Sequence, residues 1–80
     1  LSFYPNPALD FLSVNFISEA GKTARISVFN PVGQAIAHKY TETVSGVNNV
    51  TLDLAGVAGG IYFIQLELDS EITTEKVIVQ

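Results

Sequence analysis

Three carboxylates and a lone histidine are the side chains of this 80-residue chain with the means to do chemistry: Asp10, Asp53, Glu67 and His38. Two carboxylates flanking a glycosidic bond can act as acid and base, but only where a cleft holds them some 5–10 Å apart. Asp10 reads as part of a turn, and Asp53 and Glu67 alternate onto strand faces that point away from the core. No insertion long enough to form a cleft brings them together. His38 has no second imidazole as a metal partner, and the chain has no cysteine nucleophile, so His38 reads as an exposed strand residue. Asp53 with Asp69 or Glu71 lacks the dense run of oxygen ligands that a calcium loop supplies. Gly56, Gly59 and Gly60 lack the spacing, lysine and following helix of a phosphate loop. The sequence therefore assigns no catalytic, cofactor-binding or metal-binding residue, and an enzyme is not expected.

Composition narrows the partners. Eight Asp and Glu against four Lys and Arg give a formal net charge of −4. The basic residues, Lys22, Arg25, Lys39 and Lys76, are scattered, whereas a nucleic-acid binder needs a positive patch. An anionic membrane would repel such a chain on average, and no apolar run approaches the 18 or so residues of a spanning helix, so direct membrane insertion is not expected. Without cysteine there is no disulfide framework. A chain of this size buries only about 60–65% of its unfolded surface, so modest stability is expected. The absence of an initial methionine or a leader pattern leads us to read residues 1–80 as a single domain cut from a longer precursor.

The elements that must position these residues are strands. Apolar residues recur with a period of two, and no stretch supports a useful helix. The first strand places Leu12, Val14 and Phe16 inward and Phe11, Ser13 and Asn15 outward. Glu19 to Lys22 reads as a polar hairpin connection. A strand over 23–29 turns Ala24, Ile26 and Val28 inward, with Phe29 outward or marking an irregularity. Asn30-Pro31-Val32-Gly33 is a turn, in which Asn30 bonds its own backbone and Gly33 permits positive φ. A strand over 34–41 is expected to turn Ile36 and Tyr40 inward. Thr43 to Asn49 reads as a loop, with an edge piece at 42–44. Val50, Leu52 and Leu54 alternate inward. Ala55 to Gly60 reads as a tight crossover, with Val57 plugging the core end. Tyr62, Ile64, Leu66 and Leu68 form the next inward set, with the Tyr62 hydroxyl bonded to a loop. Asp69-Ser70 turns the chain into a closing edge, where Val77 and Val79 share one face and Lys76 and Ile78 the other. Short strands with turns every 8–12 residues predict an all-β fold: a small immunoglobulin-like antiparallel β-sandwich of about seven strands, with a partly open barrel as the alternative.

Four segments carry a specific likeness, in order and at matching spacing: YPNPALDFLSVNF at 4–16, ISVFNPVGQAI at 26–36, LDLAGVAGGIYF at 52–63 and EKVIVQ at 75–80. Together the chain resembles the type A C-terminal sorting domain of the type IX (Por) secretion system of Bacteroidetes. It departs from that pattern at Ala55, where serine is usual, at Val57, where leucine is commoner, and in placing Pro31 before the glycine turn. The resemblance implies a seven-stranded sandwich fused C-terminally to a cargo protein. It implies recognition by the outer-membrane translocon and its shuttle components, then removal by a sortase-like surface peptidase cutting near or before Leu1. The cargo would pass through the periplasm to the outer membrane, the cell surface or the medium.

Within that frame Tyr4, Pro5, Asn6 and Pro7 are candidates for a docking epitope, against the plainer reading of a turn that launches a strand. Gly33 and Gly60 read as backbone devices, and Tyr62 as a core residue. Phe63 and Ile78 would form an apolar patch if both point outward on neighbouring strands. Lys76, Val77, Ile78 and Val79 lie in the closing strand, and deleting Val77 to Gln80 should unfold the domain and remove an exposed terminal strand. Two other readings compete with the sorting signal. One is an adhesive or carbohydrate-binding module built on Phe29, Phe63 and Tyr40; the other is a spacer packed on a parent enzyme.

Overall fold

The computed structural model describes all of residues 1–80. It contains β1 (Ser2–Tyr4), β2 (Phe11–Ser18), β3 (Thr23–Phe29), β4 (Ala35–Glu42), β5 (Gly46–Asp53), β6 (Gly60–Leu68) and β7 (Glu71–Val79), with no helix. Two antiparallel sheets, in the orders β1-β2-β5 and β4-β3-β6-β7, stack as a sandwich that does not close into a barrel. The period-two pattern explains the layers, because alternate side chains of a strand point to opposite faces. Leu12, Val14 and Phe16 from β2, with Val50 and Leu52 from β5, meet Ala24, Ile26, Val28, Tyr62, Ile64, Leu66, Val77 and Val79 in one buried cluster. Leu54 closes that cluster, while Val57 and Leu68 pack half-buried against it, as their places in the pattern predict.

Five expectations need correction. The first strand of the chain is β1, which pairs Ser2 with Asn15 and Tyr4 with Ser13; three residues are too few for alternation to reveal. The tyrosine of the YPNP segment thus ends a strand, and the turn follows it. Secondly, Glu19 to Lys22 is no hairpin, because β2 and β3 lie in different sheets. The segment crosses between sheets and is tied down by the buried Thr43. Its hydroxyl donates to the Glu19 carbonyl at 2.6 Å and accepts from the Lys22 amide at 3.0 Å.

Thirdly, Ile36 and Tyr40 face solvent, at 36% and 59% exposure. Tyr40 lies opposite Arg25, on the face of β3 away from Ile26 and Val28, and a bulge between Val28 and Phe29 leaves Ile36 unpaired between Ala35 and Ala37. Ala37, Lys39 and Thr41 take the inner face instead. Lys39 spans the open flank there, its Nζ donating to the Thr51 carbonyl at 3.3 Å.

Fourthly, the supposed loop at 43–49 is largely strand, since β5 begins at Gly46. Its asparagines act through their side chains. Buried Asn48 accepts from the Val44 amide at 2.8 Å and donates to the Val44 and Gly46 carbonyls. Asn49 donates to Ser13 Oγ and Asn15 Oδ1 across the sheet. Those partners let Ser13, expected outside, be only 5% exposed, since a buried hydroxyl is tolerated when it is hydrogen-bonded.

The fifth correction concerns the closing strand. Val77 and Val79 are buried and Ile78 and Lys76 point out, as the alternation requires. The end of β7 is not a free edge, however. Ala8 lies beside Val79 in a parallel bridge. The Ala8 amide donates to the Ile78 carbonyl at 2.8 Å, and the Gln80 amide donates to the Ala8 carbonyl at 2.8 Å.

Candidate recognition pole

Antiparallel registers fix which loops share an end of the sandwich. Phe11 faces Asp53, Phe29 faces Phe63, and Gly60 faces Val79. The turns at 5–10, 30–34 and 54–59 and the end of β7 therefore meet at one pole. Glu19 to Lys22, Thr43 to Ser45, Asp69-Ser70 and the start of β1 meet at the other. Each of the four segments singled out in the sequence, scattered over 80 residues, thus contributes a turn or a strand end to a single end of the molecule.

Local chemistry explains each turn at this pole. In the first, Tyr4-Pro5 and Asn6-Pro7 are both cis peptide bonds. Asn6 reaches the last strand, its Oδ1 accepting from the Ile78 amide at 3.3 Å. With the two Ala8 bonds, this turn latches the C-terminal strand to the small sheet. In the second, Asn30 Oδ1 accepts from the Val32 and Gln34 amides, and Gly33 adopts φ of 90°. A side chain there would be strained by roughly 1–2 kcal/mol. In the third, Asp53 accepts from the Ala55 amide at 2.9 Å, so this carboxylate shapes a turn. The Tyr62 hydroxyl donates to the Ala58 carbonyl, which anchors the crossover to the core as its sequence position suggests. A Cβ on Gly59 would come within 3.3 Å of the Val79 carbonyl oxygen, so glycine allows the crossover to lie against the chain end.

The surface of the pole is apolar and nearly uncharged. Tyr4, Leu9, Phe11, Val32, Ile61 and Ile78 are all exposed, Val32 at 81%. Asp10 is the only ionisable side chain within the three turns. Phe63 and Ile78 do point outward on paired strands, at 37% and 41% exposure, and Ile61 lies directly opposite Ile78. Lys76 lies opposite Phe63 on the same face. The far pole differs: Glu19, Lys22, Asp69 and Glu71 cluster there. Lys22 Nζ lies 2.9 Å from Asp69, and that carboxylate raises the lysine pKa above its ordinary value. Both partners are solvated, so the pair adds little stability.

The remaining candidates stay apart. His38 packs edge-on against Tyr40, ring centres 6.0 Å apart, on the outer face of an edge strand. Phe29 and Phe63 are cross-strand neighbours, but Tyr40 pairs with Arg25, four residues back along β3 and hence about 13 Å away. The three aromatics do not form one platform. No group of three or more His, Cys, Asp or Glu side chains is placed to hold a metal ion.

A small β-sandwich with an apolar pole built from its most distinctive turns defines a module suited to being bound by other proteins. The comparison with family patterns agrees: residues 2–80 match the secretion system C-terminal sorting domain, and the chain belongs to that family. Membership carries the type IX sorting role that the four segments imply. A search of curated proteins found no similar sequence.

Proposed function

We propose that this domain is the address label of a secreted precursor. It directs an N-terminally fused cargo from the periplasm through the type IX translocon with its shuttle components. A sortase-like peptidase then separates the two, leaving the cargo released or anchored at the surface. The domain itself does no chemistry in this reading; the machinery reads its shape. The observation that carries the proposal is the meeting, at one apolar pole, of turns or strand ends from all four family-like segments. Tyr4, Asn6 and Pro7 present exposed surface at that pole, beside Ile78 and Lys76 of the closing strand. Pro5, Gly33, Gly60, Tyr62, Val77 and Val79 hold the frame beneath them.

The test is a fusion of residues 1–80 to an inert reporter carrying a periplasmic export signal, expressed in a bacterium with a working type IX system. The reporter is expected at the cell surface or in the medium, and in the periplasm when the translocon is deleted. Retention in the periplasm of the intact strain would refute the sorting role.

A further inference from the structure

The far pole carries an unfinished sheet edge beside an open groove. β2 is paired with β5 along its whole length, from Phe11 opposite Asp53 to Ser18 opposite Gly46. On its other side β1 covers only Ser13 to Asn15. By that register Leu1 falls beside Phe16, and Ile17 and Ser18 have no strand next to them. Ile17 is 79% exposed. Beneath this gap lies a cavity of about 530 Å³ lined by Leu1, Phe16, Leu66, Leu68 and Thr73 among others. It exists because the small sheet stops short. The inner face of β7 is buried at Val77 and Val79, but Thr73 and Glu75 on the same face are exposed.

We infer that the two precursor residues immediately before Leu1 extend β1 along Ile17 and Ser18 and cover this groove. The inference rests on the sorting reading in one respect: a cargo attached N-terminally requires chain leading into Leu1. Leu1 already lines the groove, so the preceding residues emerge at its mouth. Alternation makes the side chain directly before Leu1 point to solvent and the one before that point inward, over Phe16 and Leu68. That second residue is therefore apolar. Backbone hydrogen bonds to an open edge together with a seated side chain are the usual means by which an extended segment adds to a sheet. Two consequences follow. The cargo joins the domain through a paired strand at the pole opposite the recognition surface, which keeps that surface clear. The separating peptidase cuts upstream of the paired residues, where the chain is free to enter its site.

The test is amide hydrogen exchange on the full precursor, against a variant with both residues before Leu1 changed to proline, which cannot donate to a sheet edge. In the native precursor the amide of Ile17 or Ser18, whichever faces β1, should exchange at least tenfold more slowly than in the variant. Exchange at Ile64, in the core, should be the same in both. Equal exchange at Ile17 and Ser18 would overturn the inference. So would protection that rises with protein concentration, which would assign the edge to a second copy. Should the proline variant unfold, the native precursor decides alone: absence of nuclear Overhauser contacts between the residues preceding Leu1 and Ile17 or Ser18 rules the pairing out. Export is not measured, so failure here leaves the sorting role standing, and a failed export assay leaves this pairing standing.

Discussion

Deleting Val77 to Gln80 is expected to unfold the domain and abolish export together. Val77 is fully buried and Val79 is 2% exposed, and burial of each contributes about 1.5–3 kcal/mol. The deletion also removes the Ile78 and Gln80 ends of the latch to Ala8, each bond adding about 1 kcal/mol net. It leaves Tyr62 and Ile61 without their β7 partners. The sum is about 5–8 kcal/mol, comparable to the whole stability of a domain this size, about 4–12 kcal/mol. Circular dichroism of the truncated domain should show loss of the sheet signal, and the fused reporter should stay in the periplasm. A truncated domain that melts cooperatively near the parent temperature would contradict the packing described. The structure changes the explanation for the loss. The last residues of the final strand are not an exposed edge waiting to be read, because the Asn6–Ala8 segment covers them on one side and β6 on the other.

The second large effect separates recognition from folding. Leu9→Glu with Val32→Glu places two charges on the apolar pole at side chains that are 58% and 81% exposed. Substitutions at such exposed positions shift stability by about 0.5 kcal/mol or less each, so the double variant should melt within a few degrees of the parent. A charge forced into an apolar protein contact has no such tolerance, because it must be desolvated without a partner. Export should fall at least tenfold. The matched control is Val44→Glu with Ile72→Glu, at exposed apolar residues of the far pole. It carries the same added charge and should be exported normally. Reporter activity at the surface against that in the periplasm reads both variants. Equal export of the two would mean that the pole is not distinguished by the machinery.

Much of this arrangement was legible in the sequence, for particular reasons. Leu12-Val14-Phe16 and Tyr62-Ile64-Leu66 alternate over enough residues to fix their inner faces. Val77 and Val79 could be put on one face because the closing strand keeps that alternation to its end, and the structure makes that face the buried one. Asn30 and Gly33 announced their turn because only a few residue types satisfy its backbone. The misreadings arose where one residue's meaning depended on a distant partner. Nothing local shows that Tyr40 falls opposite Arg25 or that a bulge leaves Ile36 unpaired, so the apolar character of Ile36 and Tyr40 misplaces them. Asn48 and Asn49 resemble loop residues until Val44 and Ser13 are seen to receive their hydrogen bonds. β1 is held almost wholly by β2 and carries no pattern of its own. The apolar pole was half visible. Its four segments were found by resemblance, but that they share one end follows from sheet registers. The apolar contributions of Leu9, Val32 and Ile61 had no signal beyond their type.

The most direct measurement is site-specific photo-crosslinking in living cells. A photoreactive residue would replace Leu9 or Val32 at the recognition pole, or Val44 or Ile72 at the far pole, in the exported fusion. The account predicts adducts with outer-membrane export components from Leu9 and Val32, and few or none from Val44 and Ile72. Adducts of equal or greater yield from the far pole would contradict it.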